Sequence, residues 1–207
     1  MNPSELNPCP KPIFIVLSGP SGVGKDFVLN SLKARPANTD LAFIVTNTTR
    51  PMRMGEIQDA NYHFVTPARF QEMIATSDLL EHANVYGNWY GVPKGPVKAA
   101  FAAGHDVIIK VDVQGAQTIK RAIPQAVLIF LSPHSLSELA ERLRKRNTES
   151  PVDLARRLKT AETEMLAVSG FDYVIVNKNG QVDKVITALE AIITAERLRV
   201  NQREYRL

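Results

Sequence analysis

A glycine-rich segment near the amino terminus restricts the possible folds of this chain more than any other feature. It follows an apolar run at residues 13–18, typical of a buried strand, and precedes helical spacing of apolar residues over 25–34. Its residues, and the one after them, are Gly19, Pro20, Ser21, Gly22, Val23, Gly24, Lys25 and Asp26. A glycine loop between a strand and a helix can direct successive backbone N–H groups at phosphate oxygens, and Lys25 can reach the outer phosphates. The pattern predicts a phosphate-binding P-loop at residues 19–25, called the phosphate loop below.

The residue after the phosphate loop departs from this pattern. Ser or Thr, whose neutral hydroxyl ligates Mg²⁺, is usual there, but this chain has Asp26. A carboxylate about 4 Å from a phosphate is repelled by roughly 4 kcal/mol at an effective dielectric near 20. Carboxylate oxygens also suit Mg²⁺. The sequence therefore leaves three alternatives for Asp26: it obstructs the site, it binds metal itself, or it caps the helix and points away.

Apolar, strand-like runs alternate with helical patterns through the rest of the chain. Such runs lie at 107–112, 127–131 and 173–176. This alternation predicts an α/β fold with a parallel central sheet covered by helices on both faces. The segment at 41–90 breaks the rhythm and is predicted to form a separate lobe.

Composition narrows the partners. The 207 residues suffice for one domain, and no apolar run approaches the roughly 20 residues that cross a bilayer. The net charge is +4, but no recognisable nucleic-acid module accompanies the scattered cations, so we expect neither nucleic acid nor membrane as a partner. The single cysteine, Cys9, lies in a proline-rich stretch and cannot form an intrachain disulfide, which favours a cytoplasmic location.

Several further segments, in order along the chain, resemble those of the guanylate kinase family. They are Thr46-Asn47-Thr48-Thr49-Arg50-Pro51-Met52-Arg53-Met54-Gly55-Glu56, Tyr62-His63-Phe64-Val65, Gly87-Asn88-Trp89-Tyr90-Gly91, Val111-Asp112-Val113-Gln114-Gly115, Arg142-Leu143, Arg146-Asn147-Thr148 and Arg156-Arg157-Leu158. Several motifs in one order are more specific than any one of them. The resemblance covers nearly the whole chain from the phosphate loop onward.

The resemblance implies a three-layer P-loop kinase fold with a parallel central sheet, an inserted GMP-binding lobe and a mobile lid. The implied limits are a flexible tail at 1–12 and one domain at 13–207, with core segments 13–45, 93–140 and 160–207, the lobe at 46–92 and the lid at 141–159. It further implies direct transfer of the terminal phosphoryl group of ATP to GMP, with Mg²⁺ as cofactor, in purine nucleotide metabolism.

The resemblance also assigns roles to residues at the acceptor. The implied GMP-binding residues are Thr46, Arg50, Arg53, Tyr62, Glu81, Tyr90 and Asp112. Two guanidinium forks and hydroxyl donors suit a dianionic phosphate. Glu81 falls at the position where the family recognises guanine. A carboxylate can accept hydrogen bonds from both N1–H and the 2-amino group of guanine, whereas adenine offers no such pair of donors.

Cations and acids are assigned to the donor side in the same way. The implied catalytic residues are Lys25, Arg50, Arg146 and Arg157, which would stabilise charge during phosphoryl transfer. Arg142 and Asn177 join the phosphate loop as implied ATP contacts. Asp26 and Asp112 are the candidate metal ligands, Asp112 directly or through water.

Two further departures from the family pattern leave alternatives open. Val92 replaces a Ser or Thr that donates to the guanine oxygen, which predicts weaker discrimination against AMP. Lys110 replaces an acid, and we hypothesise that its charge offsets that of Asp26. The rival interpretations are a guanylate-kinase-like binding protein with little activity, and a related P-loop kinase for another acceptor, such as a ribose bisphosphate or AMP. Monomer and homodimer both remain open.

Overall fold

The computed structural model describes residues 11–85, 87–145 and 151–205 of the chain. Its strands and helices are β1 (Phe14–Ser18), α1 (Lys25–Lys33), β2 (Leu41–Phe43), β3 (Asn47–Thr48), β4 (His63–Phe64), α2 (Pro67–Ala75), β5 (Leu79–Val85), β6 (Asn88–Pro93), α3 (Lys94–Ala102), β7 (Asp106–Lys110), α4 (Val113–Ala122), β8 (Val127–Pro133), α5 (Leu136–Lys145), α6 (Pro151–Leu166), β9 (Tyr173–Asn177) and α7 (Val182–Arg197). Short 3-10 turns lie at Pro36–Asn38 and Ala167–Gly170.

Within the described residues, five parallel strands form the central sheet in the order β2-β7-β1-β8-β9. Successive side chains of β1 point to opposite faces. Ile15 and Leu17 join an apolar cluster that includes residues of α1 and α7. Phe14 and Val16 join another that includes residues of α3 and α4. Helices therefore cover both faces of a parallel sheet, and the predicted α/β fold is confirmed.

A second sheet, with four strands in the described chain, has the order β4-β3-β6-β5. Strand β6 runs antiparallel to both β3 and β5. The sequence pattern did not predict β6, since Gly91 and Pro93 interrupt it and neither residue is typical of a strand interior. Strand β2 covers only Leu41–Phe43, because its regular pairing with β7 ends at Phe43. This sheet stands where the sequence predicted a departure from the βα rhythm.

Helices α5 and α6 contain Arg142 and Arg157, respectively. They pack through buried Leu139, Leu143 and Ala161, with Leu154 and Leu158 alongside. The predicted lid at 141–159 includes residues 146–150, which lie outside the described residues, so its extent stays a prediction. In the described parts of the chain, no helix is both long enough and apolar enough to span a membrane.

Candidate active site

A cleft of about 1080 Å³, counting space open to solvent, brings most of the predicted site residues together. The predicted residues that line it are Gly19, Ser21, Gly22, Gly24, Lys25, Asp26, Thr46, Arg50, Arg53, Tyr62, Glu81, Tyr90, Asp112 and Arg157. Val92 and Lys110 line it as well. Residues from the carboxyl ends of β1 and β7 therefore face residues of the second sheet across one space.

The phosphate loop has a backbone that requires glycine. Gly19 has a φ of +140°, and a Cβ atom there would lie 2.2 Å from the carbonyl oxygen of Leu131. Gly24, with a φ of +101°, is the N-cap of α1, and in the described structure no side chain caps this helix. Amide groups at an uncapped helix N-terminus, together with the helix dipole, favour an anion. The local backbone therefore suits phosphate.

Lys25 folds back onto the phosphate loop. Its Nζ donates to the carbonyl oxygens of Gly19 at 2.5 Å and Pro20 at 3.3 Å. Burial lowers the pKa of Lys25 below its ordinary value, although nearby Glu164 and Asp26 act in the opposite direction. An anion entering the loop would stabilise the ammonium form that burial disfavours.

Glu164, on α6, is a site residue that the sequence interpretation missed. It lines the cleft, and its carboxylate accepts a hydrogen bond from the backbone N–H of Ser21. Burial raises the pKa of Glu164, while Lys25 opposes the rise. Its Oε2 is buried with no hydrogen-bond partner among the described residues. The sequence did contain a signal for this placement. Glu164 follows Arg157 by seven residues, about two helical turns, so both side chains lie on the same face of α6.

Arg142 and Asn177, the implied ATP contacts, both lie against the backbone of the phosphate loop, and their contact with ATP stays a prediction. Arg142 donates to the carbonyl oxygens of Val23 at 2.8 Å and Asn177 at 2.7 Å. The Asn177 amide also donates to Val23, at 2.8 Å. Pro20 and Val23 lie in the phosphate loop without lining the cleft, and Arg146 lies outside the described residues.

Arginine and carboxylate groups meet at the opposite end of the cleft, called the acceptor end below. Arg50 donates to both oxygens of Glu56, at 2.7 and 3.0 Å. Its guanidinium carbon lies 5.5 Å from the ring centroid of Tyr62. Burial disfavours the charged form of Glu56, but hydrogen bonds from Arg50 and the backbone of Arg53 hold the pKa of this carboxyl below its ordinary value. Glu56 lies in a segment that carries the family resemblance, yet no role had been predicted for it.

Two further cations, Arg53 and Arg157, line the same cleft. The pKa of Arg53 is lowered by burial, and also by the charges of Arg50 and Arg157. Arg50, Arg53 and Arg157 all line the cleft, so their charges add to a positive potential that favours an anionic ligand there. The structure therefore brings the acceptor arginines and Arg157 of α6 to one cleft.

Glu81 is buried in the wall of the cleft. Its Oε1 has no hydrogen-bond partner in the parts of the chain that the structure describes. Burial, reinforced by the charge of Asp112, raises the pKa of Glu81 to about 8. Space for the carboxylate depends on Gly115, since a Cβ atom there would lie 2.9 Å from Oε1. A buried carboxylate oxygen without a partner is costly, and it is suited to accept hydrogen bonds from a ligand.

Asp26 and Lys110, the two departures of opposite charge, form an ion pair. The hypothesis that Lys110 pairs with Asp26 is therefore confirmed as a contact. Lys110 also donates to the carbonyl oxygen of Asn61 at 3.2 Å. Asp26 does not cap α1, whose N-cap is Gly24.

Asp112 differs in position from the prediction. Strand β7 ends at Lys110, and Asp112 is instead the N-cap of α4, accepting from the backbone N–H of Gly115 at 2.7 Å. A capping carboxylate satisfies an amide that the helix leaves unpaired. No group of three or more His, Cys, Asp or Glu side chains that could hold a metal occurs among the described residues.

Comparisons with known proteins match most of the chain to one family. A family model described as "Guanylate kinase" matches residues 11–196. The chain is 40% identical over 197 residues to a guanylate kinase of Carboxydothermus hydrogenoformans, covering 95% of each protein. It is 46% identical over 178 residues to a guanylate kinase of Gloeobacter violaceus, covering 86% of this chain and 83% of that protein.

The structural comparison gives the same result. The crystal structure of guanylate kinase from Anaplasma phagocytophilum superposes with a TM-score of 0.75 at 29% identity, covering 91% of this chain and 88% of the other. The family model and the relatives span most of the chain, and the phosphate loop and acceptor residues meet in one cleft. The chain therefore belongs to the guanylate kinase family.

Proposed function

We propose that this chain transfers the terminal phosphoryl group of ATP to GMP, forming ADP and GDP. The observation that carries the proposal is Glu81, whose buried Oε1 has no partner within the described residues and which lines the same cleft as the phosphate loop. One end of the cleft offers backbone amides and Lys25 to a triphosphate. The other offers paired arginines and a guanine-reading carboxylate.

At the acceptor end, Arg50 and Arg53 bind the GMP phosphate with help from Thr46 and two phenols. The rings of Tyr62 and Tyr90 meet edge to face, with centroids 5.9 Å apart. Burial raises the pKa of Tyr62 above its ordinary value. Its hydroxyl therefore stays neutral and able to donate a hydrogen bond to a phosphate oxygen.

The proposed chemistry is a single displacement. An oxygen of the GMP phosphate forms a bond to the γ-phosphorus of ATP, while the bond from that phosphorus to the β–γ bridging oxygen breaks and ADP leaves. Both oxygens carry negative charge, so Lys25, Arg50 and Arg157 act by alignment and charge stabilisation, with no covalent enzyme intermediate. Closure around the nucleotides would also exclude water and limit ATP hydrolysis.

The acids of the cleft fit a magnesium ion that arrives with ATP. Asp26 and Asp112 each have one oxygen engaged, the first by Lys110 and the second by a backbone amide, which leaves each carboxylate a second oxygen. Mg²⁺ in kinases is commonly held by one or two carboxylates, waters and substrate phosphates. When bound, the ion neutralises charge on the phosphate oxygens. We assign Asp26 and Asp112 as its candidate ligands, directly or through water.

Guanine recognition rests on Glu81 because its neighbour contributes no donor. Val92 is buried and lines the cleft, but its side chain cannot donate to the guanine oxygen. One such hydrogen bond is typically worth about 0.5–1.5 kcal/mol. We place the reaction in purine nucleotide metabolism, and the single cysteine of the sequence supports a cytoplasmic location.

The affinity for GMP is expected to rise about tenfold per pH unit below pH 8 and to level off above it. Glu81 must be ionised to accept hydrogen bonds from both guanine donors. Its pKa in the unliganded protein is about 8, so below that pH most chains carry the protonated form. Binding below that pH must therefore release a proton. Asp112 faces Glu81 and contributes to the raised pKa.

Calorimetric titration with GMP from about pH 6.5 to about pH 9 checks this expectation, because the second phosphate pKa of about 6 lies below that window. Glu81→Gln, which has no titrating group at this position, is the matched control. A wild-type profile as flat as that of the variant would contradict the prediction.

A coupled assay with ATP, GMP and Mg²⁺ tests the proposed function. We expect ADP and GDP in equal amounts, with slower turnover of AMP and of ribose bisphosphate as alternative acceptors. A binding protein would hold both nucleotides and form no GDP. Preferred turnover of another acceptor would instead support the related P-loop kinase and refute the assignment to GMP.

A further inference from the structure

Lys110 touches both ends of the cleft. At the donor end, its ammonium group pairs with Asp26 in the first turn of α1, directly after the phosphate loop. At the acceptor end, it donates to the carbonyl oxygen of Asn61 at 3.2 Å and lies 4.0 Å from the ring centroid of Tyr62. The Lys110 side chain is 11% exposed, so the lysine itself lies largely away from water.

The donor-side contact changes the electrostatics of the phosphate loop. Asp26 is 48% exposed, lines the cleft, and acts on the charge of Lys25. Without a partner, this carboxylate would repel the incoming triphosphate. The Lys110 ammonium offsets the charge of Asp26. The Ser or Thr that is usual at this position is neutral and needs no such partner.

The acceptor-side contacts act on the residues that hold the acceptor phosphate. A cation near an aromatic face is attracted by the ring, and two cations approach Tyr62: Lys110 at 4.0 Å and Arg50 at 5.5 Å. The same ring meets Tyr90 edge to face. A change in the position of Tyr62 would therefore displace Arg50 and Tyr90 as well.

We infer that Lys110 is a positioning residue for phosphoryl transfer. It neutralises Asp26 at the phosphate loop and holds Asn61 and Tyr62 at the acceptor end. It thereby helps to set the spacing between the donor and acceptor phosphates. This role rests on the proposed function.

The competing explanation is a salt bridge that only stabilises the fold, and the chain offers a matched control for it. Lys120 also bonds a carboxylate, that of Asp172 at 2.9 Å, and a backbone carbonyl, that of Ala126 at 2.8 Å. It does not line the cleft. Lys120→Met therefore removes the same kinds of contact without touching the site.

The test compares Lys110→Met, Lys110→Arg, Lys120→Met and the double variant Asp26→Ser/Lys110→Met. For each, kcat, the KM for ATP and GMP, calorimetric Kd values and the thermal midpoint are measured. Lys110→Met should weaken both nucleotides by about tenfold, the factor typical of a hydrogen bond to a charged group, and should lower kcat. Asp26→Ser in the same chain should restore the affinity for ATP but not that for GMP, and Lys110→Arg should recover part of both.

Lys120→Met should change the thermal midpoint and leave both KM values as in the wild type. The inference is overturned if Lys110→Met behaves like Lys120→Met, or if the double variant recovers GMP affinity together with ATP affinity. If Lys110→Met does not fold, the affinities of the double variant and of Lys110→Arg for ATP and GMP test the inference in its place. A wild-type chain that forms no GDP would refute the proposed function, whereas an active wild type with unchanged KM values in Lys110→Met would refute the positioning role alone.

Discussion

Lys25→Met is expected to lower kcat for GMP phosphorylation by about 10²- to 10³-fold, the range found when one charge-stabilising donor is removed. The Lys25 ammonium already lies in the phosphate loop, 2.5 Å from the carbonyl oxygen of Gly19. It would bind the phosphate oxygens on which negative charge develops during transfer. Methionine has a similar shape and no charge, so the loop keeps its packing while losing the cation.

The same substitution should leave thermal stability unchanged or raised. Burial lowers the pKa of Lys25, which means that the folded, unliganded chain disfavours the ammonium form. Rapid-quench single-turnover kinetics and a thermal melt check both expectations. Lys33→Met, in the last turn of the same helix and exposed, is the control. Equal losses of kcat in the two variants would contradict the role of Lys25.

Glu81→Gln is expected to lower kcat/KM for GMP by about 10²- to 10⁴-fold while changing the value for AMP little. The ionised carboxylate accepts two hydrogen bonds from guanine, whereas an amide directs an NH₂ group at one of the guanine donors. Two hydrogen bonds to a charged group are lost together, and a repulsive contact is added. Discrimination between GMP and AMP should therefore largely disappear.

The stability of Glu81→Gln should diverge from that of the wild type as pH rises. The pKa of Glu81 is about 8 in the folded chain, above its ordinary value of 4.5. The folded state therefore holds a proton that the unfolded state has released, and the wild type loses stability between pH 4.5 and pH 8. The variant has no such loss. Thermal melts at several pH values test the stability prediction, and steady-state kinetics with GMP and AMP test the loss of discrimination. Glu72→Gln, on the exposed face of α2, is the control for both. A GMP preference retained in Glu81→Gln would count against the assignment.

The phosphate loop and the acceptor residues could be predicted from sequence because each depends on short segments with strict local chemistry. Gly19 cannot be replaced without a clash against Leu131, so the glycine pattern reports a backbone shape directly. The opposite departures at Asp26 and Lys110 likewise indicated a contact, and the structure contains it.

Residues that act across the fold could not be predicted in the same way. Glu164 reaches the amide of Ser21 only because α6 packs beside the phosphate loop, a contact between distant parts of the chain. The bonds from Arg142 and Asn177 to the backbone of Val23 could not be predicted either, because they join segments that are distant in the sequence. Strand β6 was missed because its pairing with β5, rather than its own composition, makes it a strand.

The central claim is that one cleft holds a triphosphate at the phosphate loop and a guanine nucleotide at the acceptor end at the same time. Calorimetry with adenosine and guanosine joined 5′ to 5′ through a polyphosphate chain tests it most directly. We predict one molecule bound per chain, about 10²- to 10⁴-fold more tightly than GMP alone, because the second contact becomes intramolecular. Binding no tighter than that of the single nucleotides, or two molecules per chain, would contradict it.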